Sequence, residues 1–371
     1  MAKKTRFQYT LDAGKIRFVP HEDLVVILRG ADELVANGGR GLLVKLLRGS
    51  KDRRILEHGL DKNPAYGYLS NLPEQTVSQI IDYLILDDYL CVQYSGRMPL
   101  LYFTKKGWAI EKETYADEFF DGLSKDITVG KADLRASLPD VDKDILFCVL
   151  DRIEKYGDST YIPVLRSWAS TATKKIQGRI DTVIKSLEKH SKLMVLFPGI
   201  GYTCDRPLLY YTGRMAEKLG YKVIRISYRD LPKDAKSNSE KISQCETLAV
   251  TQAVQELRQI QFSAFSDIVF VCKSIGANAA PQAAYRLKIE PRYVFLTPLE
   301  TAFDTTLPSC IAFHGTSDPR ARTDSIRCLC KDAGIPLTEY PDANHSLETG
   351  DFEKDLDTVR DVVNRIHEYL H

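Results

Sequence analysis

Residues 268–280 form the stretch that most constrains how this chain can fold. An apolar, β-branched run ends at Cys272 and Lys273, Ser274 follows directly, and small residues that a helix tolerates come next. This order predicts a buried strand, a sharp turn and a helix, with the Ser274 hydroxyl presented at the carboxyl end of the strand. Such a turn normally reads Gly-x-Ser-x-Gly, and here Cys272 occupies the first glycine position and Gly276 the second. Because Cys272 is small, the stretch is still typical of a nucleophile elbow.

Strands and helices alternate from residue 192 to residue 371, which predicts a mostly parallel, doubly wound sheet with helices on both faces. The interval between residues 296 and 310 leaves no room for a large lid. We therefore expect an α/β domain over residues 191–371. The strand candidates are 193–197, 222–227, 267–272, 293–296, 310–313 and 337–340.

An aspartate and a histidine follow Ser274 at the ends of later strands. A serine hydroxyl is a weak nucleophile until an imidazole accepts its proton, and a carboxylate holds that imidazole in the required tautomer. The chain order therefore predicts a catalytic triad of Ser274, Asp318 and His345. Asp304 and Asp324 are weaker candidates for the acid because neither directly follows a strand. The competing interpretation of Ser274 alone is a helix N-cap.

Backbone N–H groups near the elbow are candidates for an oxyanion hole. Ile275 begins the helix after Ser274, and Ile200 lies in the loop that follows the first strand of the domain. We expect these two residues to supply the donors, which stabilise the developing negative charge in the transition state. His314 lies at a strand end and is interpreted as structural. Cys272 belongs to the strand and not to the exposed turn.

Nearly all of residues 192–371 resemble the α/β-hydrolase superfamily. The resemblance is carried by the elbow and by the order in which Ser274, Asp318 and His345 follow one another along the chain. The resemblance is greatest to its small lidless members of the dienelactone-hydrolase type. It implies a small-molecule or acyl substrate with an ester, thioester or amide bond. It also implies chemistry without a cofactor.

The first part of the chain has a different pattern. Residues 23–60 carry helical periodicity, and a second helix is expected after Pro73. Two strand-like runs, 89–94 and 100–103, are separated by a turn over 95–98. Helices followed by a β-hairpin predict a winged helix of the α+β class, which we assign to residues 1–120.

Within that region, residues 47–51, 55–59, 61–67 and 101–108 resemble the RecQ C-terminal (RQC) winged-helix domain of RecQ-family helicases. In that family the domain binds duplex DNA, and its hairpin wing can separate the strands. The sequence contains no Gly-x-x-x-x-Gly-Lys-Ser/Thr loop to hold nucleotide phosphates, and no four-cysteine zinc module precedes the resemblance. We therefore expect a nucleic-acid-binding module, with DNA as the favoured partner, and no helicase motor.

Residues 1–112 hold 17 Lys and Arg against 13 Asp and Glu, a mild basic surplus. Cations supply affinity for phosphates, and an aromatic side chain at a hairpin tip can stack on an opened base. The alternative is a winged helix that contacts protein, with these cations solvated. The candidate nucleic-acid-binding residues are Lys45, Arg48, Lys51, Arg53, Arg54, Tyr94 and Arg97.

Residues 121–190 are predicted to form a helical connector with HEAT-like pairs, with helices over 132–138, 144–156, 161–169 and 174–190. Eight scattered cysteines indicate reduced thiols and hence a cytoplasmic protein. No apolar run is long enough to span a bilayer, so no membrane partner is expected.

Two functions follow from these expectations. The favoured one is a cytosolic serine hydrolase coupled to a RecQ-type DNA-binding module. The alternative is a nucleic-acid-binding or scaffold protein whose hydrolase-like domain is catalytically inert.

Overall fold

The computed structural model describes residues 10–135, 137–232, 239–303, 307 and 309–371. The chain divides into two compact units between Arg152 and Ile153. That division falls inside the segment predicted as the connector.

The N-terminal unit is built from helices and one hairpin. Apolar side chains spaced by helical turns, such as Ile27, Leu46 and Ile81, are fully buried and form its core. This arrangement confirms the winged-helix architecture predicted for the region. Its elements are α1 (His21–Asp32), α2 (Arg40–Leu47), α3 (Arg53–Glu57), α4 (Glu74–Leu86), β1 (Leu90–Ser95), β2 (Met98–Phe103) and α5 (Lys105–Thr128), with a further helix, α6 (Lys143–Tyr156), crossing the division.

The hairpin of β1 and β2 forms the wing. The strands are antiparallel, with Ser95 opposite Met98, so that Gly96 and Arg97 alone make the turn. Gly96 has a φ of 62°, a conformation that glycine adopts without steric cost. Tyr94 lies opposite Pro99, next to the last pair of the ladder. Tyr94 and Arg97 therefore lie at or beside the wing tip, as the sequence predicted.

The C-terminal unit contains a six-stranded sheet in which every pairing is parallel. Its strands are β3 (Lys192–Phe197), β4 (Tyr221–Arg225), β5 (Asp267–Lys273), β6 (Arg292–Leu296), β7 (Cys310–Gly315) and β8 (Leu337–Tyr340). Its helices after α6 are α7 (Ile162–Thr171), α8 (Lys174–Lys189), α9 (Pro207–Lys218), α10 (Ser239–Leu257), α11 (Ile275–Leu287), α12 (Thr323–Asp332) and α13 (Phe352–Leu370).

The strand order is β4-β3-β5-β6-β7-β8. The chain runs from β3 outward to β4, returns to the other side of β3 as β5, and then continues outward in the opposite direction. Parallel doubly wound sheets bind their ligands at such a reversal, beyond the carboxyl ends of the strands. The topology confirms the predicted doubly wound sheet and directs attention to the ends of β3 and β5.

The segment predicted as a connector is helical, but one element differs from its prediction. The helix expected over 132–138 is a single 3₁₀ turn, Ala132–Arg135. Gly130 adopts a left-handed conformation before it, and Pro139 disfavours helical backbone at its predecessor, so the space between them is too short for a stable α-helix. The HEAT-like pairing of the helices predicted over 144–156 and 161–169 stays a prediction.

None of the helices in the described part of the chain combines the length and apolar composition needed to cross a bilayer. All eight cysteines are free thiols.

Candidate active site and nucleic-acid surface

Ser274 occupies a sharp turn between β5 and α11. Its backbone has φ 55° and ψ −118°, a conformation that costs a non-glycine residue about 1–3 kcal/mol. Neighbouring groups hold it there, because the Ser274 N–H donates to the Leu296 carbonyl at 3.1 Å and its carbonyl accepts from the Ala277 N–H at 2.9 Å. The predicted elbow is therefore present, with its serine beyond the carboxyl end of the strand.

Close packing around the turn explains its small residues. A Cβ at Gly276 would lie 2.7 Å from the Phe197 carbonyl oxygen, and a Cβ at Gly199 would lie 3.2 Å from the Cβ of Ser274. Cys272, at the first glycine position of the motif, is fully buried in β5. Burial raises the pKa of its thiol well above the ordinary value. Cys272 consequently stays protonated and has no nucleophilic role at neutral pH.

His345 connects Ser274 with Asp318. Its Nε2 lies 2.8 Å from the Ser274 Oγ, and its Nδ1 lies 2.7 Å from Asp318 Oδ2. An ionised carboxylate only accepts hydrogen bonds, so Nδ1 carries the proton and Nε2 is left to accept from the serine hydroxyl. The three residues chosen from the sequence thus meet in the geometry that activates a serine.

Burial and hydrogen bonding set the charges of this pair. Burial is the largest influence on the pKa of Asp318 and acts to raise it, but the hydrogen bond and charge of His345 and the Arg320 N–H together lower that pKa below its ordinary value. Burial lowers the pKa of His345, against the opposing hydrogen bond to Asp318. The carboxylate is therefore ionised and the imidazole neutral at neutral pH, which are the charge states that general-base catalysis needs.

The loops that carry the acid and the base are tied together. The Ser317 N–H donates to the Ala343 carbonyl at 2.9 Å, and Asp318 Oδ1 accepts from the Arg320 N–H at 2.8 Å. In the histidine loop, Asn344 Oδ1 accepts from the Ser346 N–H at 2.7 Å. These bonds fix the positions of Asp318 and His345 relative to each other.

The two residues predicted to supply the oxyanion donors, Ile275 and Ile200, follow the carboxyl ends of β5 and β3. Ile275 is the first residue of α11, and the N–H groups of a first helical turn have no acceptor within the helix. Ile200 lies in a turn closed by hydrogen bonds between the backbones of Gly199 and Tyr202. Both isoleucines line the same cavity as Ser274. This placement fits the predicted oxyanion hole, whose role stays a prediction.

The cavity encloses about 640 Å³. Apolar side chains and several charged or polar ones line it together, so it suits a substrate with both kinds of surface. The residues around Ser274 and His345 that line it include Tyr202, Ile242, Glu246, Leu299, Glu300 and Arg320.

Two further residues at the site, Lys273 and Thr297, are not indicated by any sequence pattern. Lys273 is 1% exposed, and its Nζ donates to the His345 carbonyl at 2.6 Å and to Thr297 Oγ1. The Thr297 hydroxyl donates to the same carbonyl at 3.0 Å. Lys273, Thr297 and His345 are far apart in the chain. They meet because the ends of β5 and β6 adjoin the histidine loop, so no local sequence pattern predicts their contact.

The alternative residues have other surroundings. Asp324 pairs with Arg327 at 2.9 Å on α12, and Asp304 lies outside the described residues. His314 is buried, and its Nε2 lies 3.1 Å from Thr323 Oγ1. Burial lowers the pKa of His314, so it is a neutral structural neighbour of Asp318.

In the N-terminal unit, most of the predicted phosphate-binding cations already have acidic partners. Phosphate would have to compete with these carboxylates for the cations. The pairs are Lys45 with Asp52 at 2.5 Å, Arg48 with Glu74 at 3.4 Å, Arg53 with Glu57 at 2.6 Å and Arg54 with Asp52 at 3.9 Å.

Lys51 and Arg97 differ from that group. Both are exposed, and neither has an ion pair among the described residues. Arg97 forms part of the wing turn, beside the half-buried Tyr94. Of the four ion pairs, only that of Arg48 with Glu74, 26 residues apart, is brought together by the tertiary fold, whereas the acids beside Lys45, Arg53 and Arg54 are near them in the sequence.

Comparisons with known proteins agree with the separate character of the two units. Residues 21–116 match the family model of the RQC domain, which confirms the resemblance found in the sequence. The ATP-dependent DNA helicase RecQ of Bacillus subtilis is 32% identical over 69 residues, a match that covers 19% of this chain and 12% of the helicase. The likeness to that helicase therefore concerns a small part of it.

Solved structures similar to this chain align with about half of it. A lidless α/β serine hydrolase from Xanthomonas campestris is 16% identical with a TM-score of 0.36, covering 48% of this chain and 83% of that one. Est1E from Butyrivibrio proteoclasticus is 14% identical with a TM-score of 0.35, covering 49% and 89%. The strand order and the elbow described above give the C-terminal unit the fold of an α/β-hydrolase.

Proposed function

We propose that this protein is a serine hydrolase of the α/β-hydrolase type, coupled to a DNA-binding winged helix. The observation that carries the proposal is the hydrogen-bonded series from Ser274 through His345 to Asp318, at the wall of a cavity. Acyl transfer needs a nucleophile, a general base and a carboxylate that orients the base. Ser274, His345 and Asp318 supply these three groups.

The reaction follows from this arrangement. Ser274 Oγ attacks the acyl carbon of an ester, thioester or amide while its proton passes to His345 Nε2. The N–H groups of Ile275 and Ile200 donate hydrogen bonds to the former carbonyl oxygen and stabilise the negative charge on it. His345 returns the proton to the leaving group as the bond breaks. A water molecule, deprotonated by His345, then attacks the acyl carbon, and His345 returns that proton to Ser274 Oγ as the acyl–oxygen bond breaks and the acid leaves.

The RQC match supports the second half of the proposal. Residues 21–116 match the RQC domain, and 69 residues of the chain are similar to a RecQ DNA helicase. Lys51 and Arg97 offer exposed cations for phosphate contact. We include the cytosol as the compartment, because free cysteines throughout both units suit reducing conditions.

Activity-based labelling tests the hydrolase. A fluorophosphonate reacts with an activated serine, so the wild-type protein should be labelled and Ser274→Ala should not. Ser170→Ala is the matched control, because it removes an exposed serine of α7 whose hydroxyl donates to the Ser167 carbonyl. It should label like the wild type.

Labelling with and without duplex DNA tests the coupling of the two units. A protein that binds DNA but shows no Ser274-dependent labelling under either condition would support the scaffold alternative and end the hydrolase proposal.

A further inference from the structure

Lys273 is a buried cation beside the candidate active site, and the reaction written above gives it no task. It directly precedes Ser274 at the end of β5, yet its side chain is directed away from solvent and is 1% exposed. A charged group is rarely buried to this extent unless its partners satisfy it. The partners of Lys273 therefore indicate what it does.

Those partners converge on the backbone of the histidine. Lys273 Nζ and the Thr297 hydroxyl both donate to the His345 carbonyl oxygen, at 2.6 and 3.0 Å, and Lys273 also donates to Thr297. A carbonyl oxygen has two lone pairs, so the two donors saturate it. The main chain that carries the imidazole is thus fastened to the ends of β5 and β6.

Thr297 adopts a backbone conformation that indicates a constraint. Its φ is 46°, which is unusual for a β-branched residue. Its N–H is held by the Phe313 carbonyl at 2.8 Å, and the residue is fully buried. Strained conformations of this kind persist where the surrounding structure requires a side chain at one particular place. Here that place is between Lys273 and His345.

We propose that Lys273 is a positioning residue which, with Thr297, fixes the main-chain carbonyl of His345 and by its charge favours the neutral imidazole that Ser274 needs. The inference rests on the proposed hydrolase function and deepens it. Lys273 acts through His345, whose main-chain carbonyl it holds.

The electrostatic part of the proposal agrees with the groups that face His345. Burial lowers the pKa of His345 most, the Asp318 carboxylate raises it, and the charges of Lys273 and Arg320 lower it further. Glu246 and Glu300 also line the cavity from α10 and from the 3₁₀ turn Glu300–Phe303. Lys273 thereby opposes Asp318, which alone would favour a protonated imidazole.

Lys273 also contacts the loop that carries the oxyanion donor Ile200. Its Nζ lies 4.9 Å from the centre of the Tyr202 ring, a cation–π distance. The Tyr202 hydroxyl accepts from the Leu208 N–H at 3.2 Å and holds the ring in place. One side chain therefore touches both the histidine loop and the oxyanion loop.

The test measures the rate of fluorophosphonate labelling of Ser274 as a function of pH. Lys273→Met keeps the chain length without the charge, and labelling should slow by roughly tenfold to a hundredfold with its midpoint moved to higher pH. Thr297→Val removes the hydroxyl but keeps the charge, so labelling should slow without a change of midpoint. Thr297→Ser restores the hydroxyl and should restore most of the rate.

A second measurement does not depend on turnover. The His345 imidazole can be titrated by NMR after histidine labelling, with its signal assigned through His345→Asn. The midpoint should lie at higher pH in Lys273→Met than in the wild type. If the wild type is not labelled by the fluorophosphonate, the hydrolase function fails while this titration still tests Lys273.

Unchanged midpoints in a folded Lys273→Met variant, by labelling and by NMR, would overturn the electrostatic role. Should Lys273→Met not fold, labelling of Thr297→Val at the wild-type rate would overturn the positioning role.

Discussion

His345 determines how the proposed activity responds to pH. The neutral imidazole is the base, and burial lowers its pKa, so the group stays unprotonated to lower pH than an ordinary histidine. Labelling of Ser274 should therefore increase with pH through a midpoint below about 6.5, the ordinary histidine value. A pH series of labelling rates checks this prediction, and a midpoint at or above the ordinary value would contradict it.

Asp318→Asn changes which ring nitrogen of His345, Nδ1 or Nε2, carries the proton. An amide can donate to Nδ1, which leaves the proton on Nε2 facing the serine, and the equivalent change in serine proteases lowers the rate about 10⁴-fold. We expect a loss of that order here. Asp324→Asn is a matched control on exposed α12 and should retain the wild-type rate, with the folded state of both variants checked by circular dichroism.

The sequence predicts some residues of the site better than others. Ser274, Asp318 and His345 could be chosen because each follows a strand, and strand ends of a parallel sheet meet at one edge. Lys273 and Thr297 could not, because their contact with the His345 carbonyl exists only where the ends of β5 and β6 adjoin the histidine loop. The same limit applies to Arg48, whose acidic partner Glu74 lies 26 residues later in the chain.

Among the elements, the junction of β5 and α11 leaves no space for a side chain at Gly276. A Cβ at Gly276 would meet Phe197 and Pro198 carbonyl oxygens at 2.7 and 2.9 Å. Because these are backbone atoms, the strand or the helix would have to move. We expect Gly276→Ala to lower the free energy of unfolding by about 1–3 kcal/mol and to slow labelling of Ser274, since the elbow itself is displaced.

Gly178→Ala provides the matched control for this substitution. Gly178 is exposed within α8, and a Cβ there meets no atom within 4 Å. Alanine in a helix interior is favoured over glycine by roughly 0.5–1 kcal/mol, so this variant should be more stable than the wild type. Urea unfolding of both variants is the measurement. Equal stability of the two would mean that the elbow accommodates a side chain.

Element boundaries followed the hydrophobic pattern closely where strands are buried. The predicted strand 267–272 and the observed Asp267–Lys273 differ by one residue. In the wing, β1 is shifted by one residue from the predicted 89–94, and β2 begins two residues before the predicted 100–103. The failure at 132–138 arose where helix-compatible residues lie between Gly130 and Pro139. The composition there favours a helix. The left-handed backbone of Gly130 and the restriction that Pro139 places on its predecessor leave room only for the 3₁₀ turn Ala132–Arg135.

For the whole molecule, the two units carry separable chemistry. The residues of the triad and the cavity belong to the C-terminal unit, and the winged helix with its exposed cations belongs to the N-terminal unit. Substitutions in one unit should therefore leave the basal chemistry of the other intact. Any coupling between them must then appear as an effect of bound DNA on labelling.

Lys51→Ala and Arg97→Ala test the DNA-binding half. Each removes an exposed cation that has no acidic partner among the residues described, so each should weaken binding to duplex DNA and reduce the slope of log affinity against log salt concentration by about one. Arg53→Ala should have a smaller effect, since Glu57 already pairs with Arg53 at 2.6 Å. Fluorescence anisotropy with a labelled duplex over a salt series measures all three. Labelling of Ser274 without DNA should be the same in each variant as in the wild type. Unchanged salt slopes for Lys51→Ala and Arg97→Ala would instead indicate that this winged helix contacts protein.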